Sequence, residues 1–556
     1  MFHNRRSRLD WLLIPCLGLL LGLTPDTYPR NPNIDALNYA FELTLSDQTD
    51  EIVGRATIDL RLLADGVQEL RLDLITASPA RGGSGMTVSA VRVDDVAALF
   101  DHSGDALFVT FPSPSREGQR SSVVVEYRGV PETGLVIGPN KHGDRTFFSD
   151  NWPNKARHWL PTIDHPYDKA MCEFIVRAPE HYQVVSNGLL VEETDLGNGA
   201  RLTHWKQSVP IASWLYVLGA AEFAVQRVGE YRGKEIQTWV YRQDRDAGFY
   251  DFAVPTKQAL EFYGEYVGPF QYEKLANIQS NSVGGGMEAA SAILYGDDSV
   301  TGERTVRWRN VVIHEIAHQW FGNAVTESDW DDVWLSEGFA TYFTLLFIEH
   351  AYGRDEFLAG LESSRQRIVA FNQDRPEYTI VHDNLSDMTQ VTTGQIYQKG
   401  SWTLHMLRGL MGDEAFWRGI RTYYAAYLNA NATTADFQRV MEEASGLELS
   451  GFFQQWLLQG GMPAVRGEWA YDSNAGAIRV ELEQTQDPGL SFEVPIQIGV
   501  RLDPEGTLVV HEFVLDSRQK RLTIPVSSEP RDVVLDPNHW LLMEAEFAAG
   551  NAGDAG

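Results

Sequence analysis

The feature that most constrains the fold is the spacing of apolar residues, which changes twice along the chain. Between about residues 39 and 228 apolar and polar residues alternate, and one clear run places Ala56, Ile58, Leu60 and Leu62 at every second position. Such alternation is typical of strands with one buried face, and glycine-rich turns separate the runs. The first part of the chain therefore predicts an antiparallel β-sandwich.

A helical spacing replaces this alternation from about residue 246. The helices predicted here cover residues 249–266, 305–321, 334–352, 401–411, 413–428 and 434–444. After the Gly-Gly-Met-Pro turn at residues 460–463 the period of two returns. We therefore predict a multidomain α+β chain, with an N-terminal antiparallel β-sandwich at residues 30–228, a mostly helical domain at residues 229–460 and a small C-terminal β-sandwich at residues 461–547.

Composition excludes several kinds of partner and site. The 46 lysine and arginine residues are outnumbered by 76 aspartate and glutamate residues, which gives a net charge of −30. A chain this acidic repels phosphate backbones, so nucleic acid is not an expected partner. The two cysteines, Cys16 and Cys172, are too few for a disulfide framework or for a zinc site made of thiolates.

The start of the chain has the order of a secretory signal peptide. A basic beginning precedes an apolar run at residues 11–23, which Pro15 interrupts. This run is shorter than the roughly 20 apolar residues that a membrane helix needs. We therefore predict a signal peptide at residues 1–24 and an exported protein, periplasmic or secreted, that contacts a membrane only if the segment is not cleaved. An uncleaved anchor and a misassigned start, with a cytoplasmic protein, are the alternatives.

The most informative motif is His-Glu-x-x-His at residues 314–318. Four residues advance an α-helix by slightly more than one turn, so His314 and His318 would face the same side and can bind one Zn²⁺. Glu315 lies beside the first histidine and is a candidate general base toward a metal-activated water. Chance would give this pattern only about 0.02 times in the chain, and a helix that simply carries two histidines is the alternative.

A third ligand is expected from the motif Trp-Leu-Ser-Glu-Gly-Phe-Ala at residues 334–340. Glu337 follows His318 after 18 intervening residues, enough chain for a turn and the start of a second helix that faces the first. Two histidines and one glutamate leave a fourth position open on zinc, as in catalytic sites. The sequence therefore predicts one catalytic Zn²⁺ per chain, bound by His314, His318 and Glu337.

Three motifs in this order resemble those of the gluzincin aminopeptidases, the aminopeptidase N family or peptidase family M1. The first is the zinc motif with its distant glutamate, the second is Gly-Gly-Met-Glu-Ala at residues 285–289, and the third is Tyr-Gln-Lys-Gly at residues 397–400. The resemblance covers about residues 39–547 and is strongest in the middle of the chain. It implies a thermolysin-like catalytic domain in a three-domain zinc aminopeptidase, which removes the N-terminal residue from peptides.

The resemblance also implies roles for individual residues. The phenol of Tyr397 is expected to stabilise the oxyanion together with zinc, and Glu288 is expected to bind the free α-ammonium of the substrate. Gly285, Gly286 and Met287 are expected to let the substrate backbone approach and pair with a strand edge. Because an internal amide lacks the ammonium charge, the expected partners are peptides with a free N-terminus.

The sequence departs from the family pattern at three positions. Ala289 replaces an asparagine, which predicts altered affinity but not lost activity. Trp152 stands where the family has a second glutamine or glutamate for the substrate amine, and Asp150 or Asn151 is a candidate replacement. Ser336 replaces an asparagine beside the third metal ligand and should be tolerated.

Two other functions fit the same scaffold less well. A lipid-epoxide hydrolase of the leukotriene-processing type would carry a helical C-terminal domain that helps to shape its lipid site. A non-catalytic interaction protein would have lost a metal ligand or the general base, whereas all four of these residues are present here, namely His314, Glu315, His318 and Glu337.

Asp331 matches an acid of the family, and two roles are open for it, a role beside the metal ligands and a place in a solvated turn. The preferred N-terminal residue and the oligomeric state stay open.

Overall fold

The computed structural model describes residues 27–504 and 506–550, so the predicted signal peptide at residues 1–24 lies outside the described residues. The described chain forms a β-rich N-terminal part, a helical part built on a mixed sheet, and a C-terminal pair of sheets. The predicted α+β architecture with a mostly helical middle is therefore confirmed. No helix within the described ranges is both long enough and apolar enough to cross a membrane.

Strands make up most of the N-terminal part. They are β1 (Ile34–Thr44), β2 (Ile52–Leu62), β3 (Glu69–Asp73), β4 (Gly85–Val93), β5 (Val96–Ala97), β6 (Phe100–Ser103), β7 (Ala106–Thr110), β8 (Arg120–Val130), β9 (Leu135–Pro139), β10 (Arg145–Ser149), β11 (Lys169–Pro179), β12 (Gln183–Ser186), β13 (Leu189–Gly197), β14 (Ala200–Ala212) and β15 (Leu218–Ala221). The largest sheet has the order β13-β14-β11-β1-β2-β8-β4-β5, a second has the order β12-β15-β10-β9, and a third has the order β3-β7-β6.

The alternation predicted from the sequence determines which face of these strands is buried. Ala56, Ile58, Leu60 and Leu62 on β2 are all buried, while the residues between them are partly or fully exposed. Side chains of successive strand residues point to opposite faces, so one face of β2 packs on the core. Cys172 on β11 is a buried free thiol, as expected for a cysteine in a core strand.

A mixed sheet begins the middle part. Its strands are β16 (Phe223–Tyr231), β17 (Lys234–Tyr241), β18 (Lys274–Ser280), β19 (Gly286–Met287) and β20 (Ala292–Gly296). The order is β16-β17-β18-β20-β19, with β17, β18 and β20 parallel and the two outer strands antiparallel to their neighbours. The predicted limit between residues 228 and 229 falls within β16. Strand β19, which carries part of the glycine-rich motif, lies at an edge of this sheet.

Helices complete the middle part. They are α1 (Arg245–Tyr266), α2 (Val306–His318), α3 (Trp334–Tyr352), α4 (Arg354–Asp374), α5 (Gly394–Met411), α6 (Asp413–Ala426), α7 (Thr434–Ser445) and α8 (Ser450–Leu457). The short strands β21 (Val325–Glu327) and β22 (Ala430–Ala432) pair in parallel beside α3. Local chemistry sets some of these limits: Thr433 and Asp436 form a capping box at the start of α7, and Gly446 ends that helix with φ of 73°.

Several helices differ from their predicted limits, and α8 was not predicted. α2 ends at His318, three residues earlier than predicted, because a turn follows the second histidine. α5 begins at Gly394 and not at residue 401, so Tyr397 belongs to its first turns. α4 was not predicted at all, because only Phe357, Leu361, Ser364 and Ile368 of its residues are buried and its apolar stripe is narrow.

The C-terminal part consists of two small sheets. Its strands are β23 (Ala464–Asp472), β24 (Ala477–Gln484), β25 (Val494–Arg501), β26 (Val509–Leu515), β27 (Gln519–Pro525), β28 (Asp532–Leu535) and β29 (Glu544–Ala549). They pair in the orders β27-β24-β23-β29 and β26-β25-β28. Alternating residues of both sheets are buried, which agrees with the predicted small β-sandwich.

Candidate metal centre and active site

Helices α2 and α3 bring the predicted metal ligands together. His314 and His318 lie on successive turns of α2, and their Nε2 atoms are 3.1 Å apart. Glu337 lies on the first turn of α3, and its Oε2 is 3.4 Å from Nε2 of His314 and 3.2 Å from Nε2 of His318. These three residues, which are separated along the chain, thus place their ligand atoms in a single cluster.

The backbone beyond α2 orients the second histidine ring. Nδ1 of His318 is 3.1 Å from the carbonyl oxygen of Phe321 and 3.1 Å from Oγ of Ser336. A carbonyl oxygen only accepts hydrogen bonds, so Nδ1 carries the proton and donates it. In the neutral ring Nε2 then has a free lone pair, which is directed at the cluster and is available to a metal ion.

A glycine is required at the turn that follows this histidine. Gly322 has φ of 102°, a left-handed conformation that side chains rarely adopt. A Cβ atom at this position would lie 2.1 Å from Oγ of Ser336 and 3.2 Å from Nδ1 of His318. Gly322 therefore leaves room for the hydrogen-bonded pair that holds the histidine ring.

Glu315 faces the glycine-rich strand. Glu315 is 5% exposed, and a Cβ atom on Gly286 would lie 2.2 Å from Oε1 of Glu315. The missing side chain at Gly286 thus makes space for the carboxylate of Glu315, a reason for glycine that the sequence did not indicate. A Cβ atom on Gly285 would contact nothing within 4 Å, and Met287 is buried.

Glu288 follows this strand and is held through its backbone. Its carbonyl oxygen accepts hydrogen bonds from Nε2 of Gln319 at 2.9 Å and from Nδ2 of Asn323 at 2.6 Å. Its carboxylate is buried, with Oε1 lacking a hydrogen-bond partner among the described residues and lying 3.9 Å from Nδ1 of His318. The backbone of the loop is therefore fixed, while one oxygen of its acid faces the site unpaired.

Tyr397 reaches the same cluster from α5. Its hydroxyl donates a hydrogen bond of 2.7 Å to Oε1 of Glu337, and its ring stacks near His314 with a centroid distance of 6.1 Å. Burial and the negative charge of Glu337 hold the pKa of Tyr397 well above its ordinary value. The phenol thus remains a proton-bearing hydrogen-bond donor next to the proposed metal ligands.

Burial and the crowding of acids set the charge of the site. Burial raises the pKa of Glu288 to about 7, and Glu337 adds to that rise while His318 opposes it. Burial and the charge of Glu288 hold the pKa of Glu315 well above its ordinary value. Burial favours neutral His318, yet Glu288 and Glu337 raise its pKa to about 10. Burial also acts on Glu337, but the charges of His318 and His314 hold its pKa far below the ordinary value.

These groups fit a zinc ion. The ligand atoms of His314, His318 and Glu337 all lie within 4.8 Å of one another, and Oε2 of Glu337 is buried without a hydrogen-bond partner among the described residues. Two imidazoles and one carboxylate are the donor set of catalytic zinc sites, with one position left open. A cation would also offset the excess of buried acids, because Glu288 and Glu315 lie against the same histidine.

Residues 150–152 of the N-terminal part include the candidates for a second contact to the substrate amine. Trp152 packs edge-to-face against Trp330, with 5.0 Å between ring centroids. Both ends of the side-chain amide of Asn151 have partners in the N-terminal part, since Nδ2 donates to the carbonyl of Tyr216 and Oδ1 accepts from Nε1 of Trp159. Asp150 accepts from Nζ of Lys155 at 2.6 Å, and its charge contributes to the raised pKa of Glu288.

Asp331 has a role that neither of its predicted alternatives described. It is 6% exposed, and its two carboxylate oxygens accept the backbone N–H groups of Asn384 and Leu385, both at 2.7 Å. Asp331 therefore anchors the loop between α4 and α5 to the turn before α3.

Sequence reasoning missed two residues that support the site. Gln319 and Asn323 hold the carbonyl oxygen of Glu288, and Oε1 of Gln319 also accepts the N–H of Ser291. Their signal in the sequence is weak, because they are single amides in the turn that follows the zinc motif. They orient the loop in which Ala289 replaces the family's asparagine.

Two family models match most of the described chain. The model described as "Peptidase M1 N-terminal domain" matches residues 35–215, and the model described as "Peptidase family M1 domain" matches residues 252–456. The second match contains the metal cluster, the glycine-rich strand and Tyr397. The family model therefore covers the residues that form the site.

Named relatives agree with these matches. Human glutamyl aminopeptidase is 30% identical over 331 residues, which are 57% of this chain and 34% of that protein. Probable aminopeptidase 2 of Sulfurisphaera tokodaii is 26% identical over 447 residues, which are 77% of this chain and 55% of that protein. The chain therefore spans between about a third and somewhat over half of these relatives.

A solved structure shares the fold. The crystal structure of an M1 zinc metallopeptidase from Deinococcus radiodurans superposes with a TM-score of 0.66 at 23% identity. The match covers 76% of this chain and 93% of that one. The two chains therefore share their fold, including the arrangement of β-rich and helical parts.

Proposed function

Because the chain belongs to peptidase family M1, we propose that it is a zinc-dependent aminopeptidase that hydrolyses the N-terminal residue from peptides. The observation that carries this proposal is the convergence of His314, His318 and Glu337 beside the buried carboxylates of Glu315 and Glu288. Such a site combines a metal, a base and an acceptor for a free amino group.

The metal would be held by three side chains. His314 and His318 would bind through Nε2 and Glu337 through a carboxylate oxygen, with one zinc ion per chain. When bound, zinc supplies a Lewis acid for the peptide carbonyl and makes a water molecule acidic enough to act as the nucleophile at neutral pH. Ser336 and the carbonyl of Phe321 would keep the second imidazole in the tautomer that binding needs.

Glu315 is proposed to move the protons. Its carboxylate would take a proton from the attacking water and return it to the leaving amine, so that no net charge is left on the enzyme. Burial and the charge of Glu288 raise its pKa above that of an ordinary glutamate, which makes its carboxylate a stronger base. Its position against the edge strand β19 supports this role, because a peptide paired with that edge would lie next to the carboxylate.

Tyr397 is proposed to stabilise the oxyanion. Its phenol keeps its proton and points at the metal ligands, where it donates to Glu337. As the carbonyl carbon of the substrate becomes tetrahedral, this O–H would donate to the developing negative charge. A donor placed in advance in a buried site stabilises such charge without reorganisation.

Glu288 is proposed to recognise the free amino group. Its buried Oε1 lacks a hydrogen-bond partner among the described residues, so an ammonium ion would supply the missing donor. An internal peptide bond has no such charge and would leave the carboxylate desolvated and unpaired. This difference would limit hydrolysis to the first residue of a peptide.

We also propose that the protein is exported, because residues 1–24 have the basic and apolar order of a signal peptide. N-terminal sequencing of the mature protein tests this directly. A mature chain that starts after residue 24 supports export, and a chain that retains Met1 in the cytoplasm contradicts it.

The proposed activity is tested with amino-acid arylamides and a blocked analogue. The zinc-loaded protein should hydrolyse leucine 4-nitroanilide and should leave its N-acetylated form intact, because acetylation removes the ammonium charge. Zinc content is measured on the same sample. A protein that binds zinc but hydrolyses no arylamide in a panel of different amino acids would contradict the proposal.

A further inference from the structure

The Tyr-Gln-Lys-Gly motif at residues 397–400 contains two residues, Lys399 and Gly400, that the proposed chemistry does not use. Both lie with Tyr397 on helix α5. Three residues advance a helix by about 300°, so Gly400 lies on nearly the same face as Tyr397, whereas Lys399 lies on the opposite face. The two residues therefore contact different neighbours of α5.

Gly400 lies in direct backbone contact with helix α3. A Cβ atom on Gly400 would lie 3.2 Å from Cα of Gly338, and a Cβ atom on Gly338 would lie 3.1 Å from Cα of Gly400. Both glycines lie within helices and neither has a positive φ, so the backbone conformation does not require glycine at either position. Glycine in a helix is less stable than alanine, and what it provides here is the close approach of the two helices.

The two helices make this contact at the site itself. Gly338 directly follows the proposed metal ligand Glu337, and Gly400 lies about one turn after Tyr397. Beside the contact, the hydroxyl of Tyr397 donates its hydrogen bond of 2.7 Å to Oε1 of Glu337. Because the phenol is carried on a rigid ring, a change in the separation of the two helices would change the position of its hydroxyl by a similar amount.

Lys399 holds the opposite side of α5. It is 1% exposed, and its Nζ donates hydrogen bonds to the carbonyl oxygens of Gln459 at 3.2 Å and Gly461 at 3.0 Å. These carbonyls belong to the turn that joins α8 to β23, where the C-terminal part begins. A buried ammonium is costly unless its N–H groups have acceptors, so Lys399 ties this side of α5 to that turn.

We propose that Lys399 and Gly400 are positioning residues that hold α5 against α3, so that the phenol of Tyr397 reaches the cluster of metal ligands. Gly400 sets the separation of the two helices together with Gly338, and Lys399 keeps the far side of α5 in place. Neither residue takes part in the chemistry directly. The inference rests on the proposed aminopeptidase function, in which Tyr397 stabilises the oxyanion.

Crystal structures of the wild-type protein and of Gly400→Ala test the spacing without an assay. The variant places a methyl group against the backbone of Gly338, which cannot turn aside as a side chain could, so the helices should separate by a few tenths of an ångström. The distance from the hydroxyl of Tyr397 to Oε1 of Glu337 should then exceed about 3.0 Å, the upper limit of an ordinary O–H···O hydrogen bond, while the three metal ligands keep their mutual distances. An unchanged phenol distance would overturn the inference.

A double-mutant cycle tests whether both residues act through the phenol. On leucine 4-nitroanilide, Gly400→Ala and Lys399→Met should each lower kcat of the zinc-loaded protein about tenfold and leave KM and zinc content unchanged, because the phenol acts in the transition state. In a Tyr397→Phe background neither change should lower kcat further, since the group that they position is absent. Losses of kcat that persist in this background, or a rise in KM in place of a fall in kcat, would indicate a general structural role and would overturn the inference.

Gly394→Ala is the matched control. Gly394 is the exposed first residue of the same helix, and a Cβ atom there would contact nothing within 4 Å. The variant should keep both the phenol distance and kcat, and an equal fall in kcat would show that any alanine in α5 perturbs the site and would overturn the inference. If the zinc-loaded wild-type protein hydrolyses no arylamide, the proposed function itself fails, and the phenol distance in Gly400→Ala still decides the spacing. If the wild-type protein is active and the losses of kcat are independent of Tyr397, this inference alone fails.

Discussion

The metal side and the amine side of the site are built in different ways. On the metal side, three ligands come from the consecutive helices α2 and α3, and two of them have a hydrogen-bonding neighbour, Ser336 for His318 and Tyr397 for Glu337. On the amine side, Glu288 comes from the loop after β19, and its Oε1 has no hydrogen-bond partner among the described residues. Protein hydrogen bonds therefore orient two of the metal ligands, whereas no protein hydrogen bond from the described residues reaches Oε1 of Glu288.

This difference predicts different consequences of mutation. A change on the metal side should alter zinc binding or turnover, because those groups position the metal and the reacting atoms. A change on the amine side should alter the affinity for ligands that carry an amino group, because Oε1 of Glu288 has no hydrogen-bond partner among the described residues to lose. The following variants separate the two outcomes.

The largest effect is expected from His318→Ala. The variant removes one of two imidazoles, so zinc content should fall to a small fraction and arylamide hydrolysis should fall to the uncatalysed background. Metal analysis and kinetics on the same sample check this. His181→Ala, which changes an exposed histidine next to Asp47, is the control and should keep both properties. Full zinc content in His318→Ala would break the assignment of the metal side.

Glu315→Gln should separate chemistry from metal binding. The amide cannot take a proton from water, so kcat should fall about 10²–10⁴-fold. Zinc content should remain at one ion per chain, because Glu315 is not among the three proposed ligands. Stopped assays with metal analysis measure both quantities. A loss of zinc together with turnover would show that Glu315 contributes to metal binding, and would contradict its assignment as the base alone.

Glu288→Gln should affect the amine side. Hydrogen bonds to charged groups contribute about 1.5–3 kcal/mol, so KM for leucine 4-nitroanilide should rise about 10- to 100-fold. Zinc content should not change. The comparison would be broken if the variant lost zinc, or if it bound the arylamide as tightly as the wild-type protein does.

The smallest effect is expected from Ser336→Ala. The variant removes one of two contacts at Nδ1 of His318 and leaves the carbonyl of Phe321 in place, so zinc affinity should fall about tenfold. Competition with a chelator measures this affinity. Ser401→Ala is a matched control, since Ser401 is also buried but its Oγ has no hydrogen-bond partner among the described residues. Equal effects in the two variants would contradict the support assigned to Ser336.

The same contrast explains how much of the site the sequence could predict. His314, His318 and Glu337 follow from helical periodicity and from the length of one connection, which are local properties. The fold class was predictable for a similar reason, because alternation on β2 and helical spacing on α7 are properties of short segments. The helix α4 was missed because most of its residues are exposed and its apolar stripe is narrow.

The amine side depends on contacts between distant segments. Gln319 and Asn323 reach the carbonyl of Glu288 across about 30 positions of the chain, and no periodic pattern announces such contacts. The requirement for glycine at Gly286 became clear only from the position of Glu315.

The most direct test of the central claim is an anomalous difference map at the zinc absorption edge, calculated from crystals of the purified protein. The account predicts one strong peak per chain, about 2.0–2.2 Å from Nε2 of His314, Nε2 of His318 and a carboxylate oxygen of Glu337. A map without a peak between these side chains in a zinc-replete protein, or with its main peak at another place, would contradict it.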